Sequence, residues 1–221
     1  MFKNISGPAI LVLCLVALHS NLYAYDRGDF QIWNTDNEDI KIYKNVKFSM
    51  EQEFRFGENA TELYYQHYDF GFVYGFDKML DLGFFYRLIY ERYKQKWREE
   101  DMPNVNATLK LDLWKFKFED KNRLEYRHFR FQPDNIRYRN KFTLKYPIDL
   151  KRIKVSPYAA DEIFVSSNGT GYSENRFSTG MEFDLSNYAK ADLYYMLKEN
   201  RIRADKWTFA NTLGTKIKIA F

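Results

Sequence analysis

Apolar and polar residues alternate with a period of two along most of the chain. Within the segment 46–56, the even-numbered positions are apolar except for one glutamine, and the odd-numbered positions are charged or serine. Leu80–Glu91, Val105–Leu113 and Phe177–Leu185 repeat the pattern. Because successive side chains of a strand point to opposite faces, each segment is predicted to be a β-strand with one apolar and one polar face.

The number of such segments predicts a closed barrel. Keeping Asp29–Tyr43 whole gives about 11 strands, and splitting it around Asp36–Asp39 gives about 12, within a range of roughly 10 to 12. The even number is preferred because it would place both ends of the barrel on the periplasmic side. The fold class is therefore all-β, an antiparallel up-and-down transmembrane β-barrel.

The predicted turns differ in length. Those at 77–79 and 186–188 are short, whereas those at 94–103, 130–135 and 166–174 are longer. Outer-membrane barrels have short periplasmic turns and longer external loops, so this alternation favours the same fold.

The N-terminal residues have the layout of a cleaved secretory signal. Lys3 precedes an apolar run from Ala9 to Leu18, and the small residue Ala24 follows it. The run is shorter than the roughly 20 residues of a spanning helix, although an uncleaved anchor stays open. We predict a signal peptide over 1–24 and one barrel domain over 25–221. The only cysteine, Cys14, lies within the signal, so the domain has no disulfide.

Composition favours a membrane barrel over a soluble one. Aromatic residues make up 19% of the chain and charged residues 29%, a combination that suits an apolar outer wall in contact with outer-membrane lipid and a polar lumen. A soluble periplasmic barrel that binds a ligand would show the same alternation and remains an alternative. The net charge is only +4 and the charges are interspersed, so no nucleic-acid partner is predicted.

The last predicted strand, Trp207–Phe221, carries Ile217, Ile219 and Phe221 on its apolar face. This row is similar to the C-terminal assembly signal of bacterial outer-membrane proteins. It implies a Gram-negative outer membrane as the location and the barrel-assembly machinery as a partner.

Several stretches also resemble a known family. They are Glu51–Phe56, Tyr64–Gln66, Gly83–Arg87, Asn122–Arg127, Arg137–Lys141, Pro157–Phe164 and Asn175–Arg176. They are similar to the outer-membrane barrel family catalogued as domain of unknown function twenty-four ninety. The resemblance implies a barrel in the outer membrane, and because the family has no established activity, it implies no catalytic residues.

The predicted inward faces are unusually rich in charge. The candidate lumen and binding residues are Glu51, Glu53, Arg55, Arg87, Glu91, Arg123, Glu125, Arg127, Arg137, Arg139, Glu162 and Arg176. Opposite charges at positions i and i+2 share a face and can form an ion-pair ladder that braces a narrow barrel. The same residues could instead form a porin-like narrow pore or a site for a small anionic solute.

Catalytic and cofactor signals are weak. An outer-membrane lipid hydrolase is a further alternative, in which the serine of Ser167–Gly169 would need His67 or His128 as its base, but neither histidine precedes the serine at close spacing. No metal or cofactor is predicted, since two separated histidines and no cysteine outside the signal give no ligand cluster. We therefore predict a non-enzymatic barrel.

Overall fold

The computed structural model describes residues 28–93, 96–151, 153–203 and 206–221. These residues form twelve strands and no helix: β1 (Asp29–Tyr43), β2 (Val46–Gly57), β3 (Glu62–Gly75), β4 (Leu80–Tyr93), β5 (Lys96–Leu113), β6 (Phe116–Phe129), β7 (Asn135–Lys145), β8 (Ile148–Asp149), β9 (Lys154–Ser166), β10 (Gly171–Asp184), β11 (Ala189–Arg203) and β12 (Lys206–Ala220). In the described part of the chain, no helix is long and apolar enough to cross a membrane. The predicted signal over 1–24 lies outside the described residues.

Eleven of the strands close into a barrel. Each pairs with the next along the chain, except that β7 pairs directly with β9, and β12 closes the ring on β1. The two-residue β8 pairs only with β9 and lies outside the ring. The predicted all-β barrel is confirmed. The preferred split of Asp29–Tyr43 is wrong, because β1 is one continuous strand that pairs with β2 along most of its length.

The closing pair is parallel. Asp29 lies opposite Ala210, and Asp39 lies opposite Ala220. Strands that alternate in direction leave the first and the last parallel when their number is odd, so eleven strands require this arrangement. Consequently β1 starts at one rim and β12 ends at the other, and the expectation that both would lie on one side is wrong.

The two rims are named here after exposed turns. The Asn59 end contains the turns 58–61, 130–134 and 167–170, and the Trp114 end contains 44–45, 76–79, 114–115 and 185–188. These turns are two or four residues long at the Trp114 end and four or five at the Asn59 end, and the connection 146–153, which contains β8, lies at the Trp114 end. The expected contrast between short connections on one side and long ones on the other is therefore wrong. Residues 96–103 were expected within a long turn, 94–103. They belong to β5, where buried Glu100 pairs with Arg127 inside the barrel.

Charged side chains fill the interior and apolar side chains cover the wall, as the alternation predicts. A bulge in β3 departs from it. Arg55 lies opposite Tyr65 and Phe56 lies opposite Leu63, which leaves Tyr64 as an extra residue in β3. A bulge of this kind redirects side chains. Tyr64, expected on the outer face, is therefore buried beside Tyr65, and both are 9% exposed.

Candidate functional site: the charged interior

A carboxylate from β6 joins arginines from several strands. Arg137 Nε donates to Glu125 at 2.5 Å, and Arg139 Nη1 donates to it at 2.9 Å. Glu125 is completely buried. The ion pairs continue from Arg139 to Glu162 at 2.7 Å, then to Arg176 at 3.7 Å. We call this set, which also includes Arg123 and Glu174, the Glu125 network.

A second network lies on the opposite side of the interior. Glu51 accepts a hydrogen bond from Lys216 at 2.5 Å and lies 3.4 Å from both Arg87 and His67. Arg87 also pairs with Asp69 at 2.6 Å. Through His67 the set extends to Glu53, whose other partner is Arg55. We call these seven residues the Glu51 network; it connects β2, β3 and β4 with β12.

Two aromatic side chains pack against the arginines, and one of them, Trp33, connects the two networks. The guanidinium of Arg55 lies 3.6 Å from the centre of the Trp33 ring, and that of Arg176 lies 5.0 Å from it. Phe164, which is fully buried, contacts Arg139 and Arg176 at about 4.5 Å in the same way. Such cation–π contacts hold the arginine planes in place in addition to their ion pairs.

Between the networks lies a central chamber of about 170 Å³. Eight cationic side chains line it against three carboxylates: Arg55, Arg87, Lys121, Arg123, Arg139, Lys141, Arg176 and Lys216 against Glu51, Glu53 and Glu162. Including the carboxylates that pair with these arginines from behind the lining, namely Asp69, Glu125 and Glu174, eight cations face six carboxylates. The chamber therefore has an excess of positive charge.

The two halves of the interior differ. Toward the Asn59 end, Tyr64, Tyr65, Ile89 and Met102 form a buried apolar cluster, and Phe129 and Phe164 are buried as well. Toward the Trp114 end a wider cavity is lined by six lysines, Lys78, Lys110, Lys117, Lys145, Lys154 and Lys190, together with Asp112, Glu119, Glu182 and Asp184. The chamber thus has a buried apolar cluster and the Arg127–Glu100 ion pair on one side and a basic mouth on the other.

The structure brings most of the candidate residues together. Ten of the twelve belong to the two networks, and Arg127 pairs separately with Glu100 at 2.6 Å. Glu91 is exposed near the Asn59 end and makes no ion pair with another described residue. The alternation placed all of them on the inward face, but which charges meet depends on strand register.

Several residues of the site were not among the sequence candidates. Trp33 was missed because only charged residues were chosen as candidates. Lys121 and Lys141 share the parity of the chosen arginines on β6 and β7, and Lys216 alternates with the apolar row of Ile217 and Ile219 on β12, so a usable signal was present. His67 and Asp69 likewise fall on the predicted inward face of β3.

The residues considered for a hydrolase belong to separate contacts. His67 is 1% exposed inside the barrel, whereas His128 faces outward and pairs with Asp134 at 2.9 Å. Ser167 Oγ accepts a hydrogen bond from the backbone N–H of Ile136. Hydrogen bonds from His128, Tyr126 and the backbone of Phe129 hold the pKa of Asp134 at about 2. The described residues contain no group of three or more potential metal ligands.

The row predicted as an assembly signal lies on the outer face of β12. Ile217 is 38% exposed and Phe221 is 69% exposed. Ile219 lies opposite Ala189 of β11 and Glu38 of β1. Phe221 continues the pairing with β1, because its N–H donates to Asp39 and its carbonyl accepts from Lys41.

Comparison with known proteins identifies the family. No curated protein matches the chain. The family described as a protein of unknown function, DUF2490, matches residues 30–209, a range that includes part or all of every barrel strand. This chain belongs to the DUF2490 family.

Proposed function

We propose that this protein is an integral β-barrel of a bacterial outer membrane and that its charge-paired interior is a structural core that closes the lumen. The observation that carries the proposal is the inverted distribution of side chains. Soluble barrels bury apolar residues, whereas here the buried residues are mainly polar or charged and many large apolar residues are exposed.

The wall has the features of a lipid-facing surface. Phe72, Phe84 and Leu109, on the outward faces of the neighbouring strands β3, β4 and β5, are each at least 50% exposed. Exposed aromatic residues lie at both rims: Tyr93, Trp97 and Trp207 at the Asn59 end, and Phe76, Trp114 and Tyr188 at the Trp114 end. Aromatic girdles on both sides of an apolar band are typical of membrane barrels.

One strip of the wall is polar. Asn34, Asp36 and Glu38 occupy successive outward positions of β1. Asn34 donates to Thr215 of β12 at 2.8 Å, and Gln52 donates to Asp36 at 3.2 Å. These bonds satisfy some of the polar side chains of the strip. The strip is the section of the described wall least suited to contact with lipid.

Support for a closed lumen comes from the burial of side chains that point into it. Glu125, Met102 and Phe164 are all 0% exposed, although they lie on inward faces. Burying charges is favourable only when they are paired, and the two networks provide these pairs. The interior therefore resembles a packed core more than a water-filled channel.

Membrane integration is tested by purification. We expect the folded protein to need detergent for solubility and to migrate differently in gels before and after heating. A protein that is soluble without detergent and unchanged by heating would contradict the proposal and favour a soluble binding barrel.

A narrow anion pore is a second candidate, favoured by the excess of cations around the central chamber. Conductance measured in planar bilayers distinguishes the structural core from the anion pore. A structural core predicts a folded barrel without single-channel conductance. Reproducible anion-selective conductance that changes on Arg123→Ser would instead establish the pore.

A further inference from the structure

The inward face of the β6–β7 pair carries like charges directly opposite each other. Lys121 lies opposite Lys141, and Arg123 lies opposite Arg139. Such pairs destabilise a sheet unless a counter-charge is close. The arginine pair has one, since Glu125 contacts both guanidinium groups, at 3.7 and 2.9 Å.

Within the described ranges, the lysine pair has no carboxylate of its own. Lys141 lies opposite Glu162 of β9, but that carboxylate is already paired with Arg139 and Arg176. Among the described residues, neither Lys121 nor Lys141 has a hydrogen-bond or ion-pair partner. Arg123 is 9% exposed, and its Nη1 atom is buried without a hydrogen-bond acceptor. All three side chains line the central chamber. Because buried cations need a compensating charge, this corner of the chamber is incomplete by itself.

We infer that the central chamber binds a small, multiply charged oxyanion of the phosphate or sulfate class between Lys121, Arg123 and Lys141. An oxyanion has several acceptor oxygens, so it can accept from two ammonium groups and one guanidinium at once. Ser178 adds a hydroxyl to the lining. A chamber of about 170 Å³ has room for such an ion with a few waters.

The basic mouth at the Trp114 end provides a route for the anion. Lys117 and Lys145 form another like-charge pair across β6 and β7, on the same face as Lys121 and Lys141. A cleft lined by one sign of charge raises the local concentration of the opposite ion. The site depends on the barrel interior and not on the membrane location, so it goes beyond the proposed function.

Calorimetric titration tests the inference. Inorganic phosphate is added to the folded wild-type protein in phosphate-free detergent buffer, and sulfate is used as competitor. We expect saturable binding of one phosphate, displaced by sulfate. Lys121→Gln and Lys141→Gln should each weaken binding about tenfold or more. Lys115→Gln, which removes the same charge from an exposed turn, should leave the affinity unchanged.

A stability measurement accompanies the titration. Phosphate should raise the thermal midpoint of the wild type and not that of Lys121→Gln, and without phosphate the variant should be at least as stable as the wild type. Absence of saturable binding, equal weakening by Lys115→Gln, or a Lys121→Gln variant destabilised without phosphate would each overturn the site. If the protein were soluble without detergent, the membrane proposal would fail but the anion site would not. The same titration could then be run in buffer without detergent.

Discussion

The ring of Tyr194 on β11 lies directly against the backbone of Gly214 on β12. The two residues are cross-strand partners, and Tyr194 has a second glycine partner, Gly180, on its other side. A Cβ at residue 214 would overlap the Tyr194 ring. Because both of its cross-strand neighbours, Gly180 and Gly214, have no side chain, this large ring fits inside the barrel close to the β12–β1 pair.

Gly214→Ala should therefore destabilise the barrel. Overpacking of this kind costs about 1 to 3 kcal/mol, measured as the free energy of unfolding in urea. Adding Tyr194→Ala should make the cost of Gly214→Ala much smaller, because the clash is removed. Gly75→Ala is the control, since its Cβ would meet ordinary contacts at 3.4 and 3.9 Å. Additive effects of the two changes would contradict this packing.

Glu125→Gln should be among the most destabilising single changes. It leaves Arg137 without its buried counter-charge and Arg139 with Glu162 alone, and breaking a buried ion pair costs roughly 3 to 5 kcal/mol. The matched control is Glu99→Gln, whose partner Arg130 is exposed; this pair should contribute about 1 kcal/mol or less. Similar losses in urea unfolding of the two variants would show that the Glu125 network does not brace the barrel.

Ala60→Gly should stabilise the protein. Glu58, Asn59 and Ala60 have φ values of 50°, 57° and 66° in one turn. The left-handed conformation costs a non-glycine residue roughly 1 to 2 kcal/mol, part of which glycine avoids. We expect the free energy of unfolding to rise by about 0.5 to 1 kcal/mol. Ala107→Gly, in the extended β5, should lower it, and a loss in both variants would refute the strained turn.

Asp134 should contribute a pH-dependent stability. Its folded pKa of about 2 lies below the ordinary value of about 3.9, so its stabilisation is fully present above pH 4 and is lost as the pH falls toward 2. Unfolding measured across this range should depend less on pH in Asp134→Asn. Asp112→Asn, an exposed carboxylate at the Trp114 end, controls for the loss of one charge. An unchanged pH profile in Asp134→Asn would exclude this contribution.

Local alternation predicted most of the interior correctly. It placed Glu51, Arg87 and Arg139 on inward faces because each follows the period of its own strand. It failed for Tyr64, since a bulge is an extra residue relative to the partner strand and cannot be recognised within one strand. It also failed for residues 96–103, which were expected in a turn but belong to β5, where Glu100 is paired inside the barrel.

The sequence by itself determined that the chain forms strands with one apolar and one charged face, because side-chain direction in a strand depends only on position along it. Only the tertiary structure decided that eleven strands close with a parallel pair, that Glu125 meets Arg137 and Arg139, and that Lys121 faces Lys141. These contacts depend on the register between strands, and the ring closes only when β12 meets β1, which is far from it in the sequence.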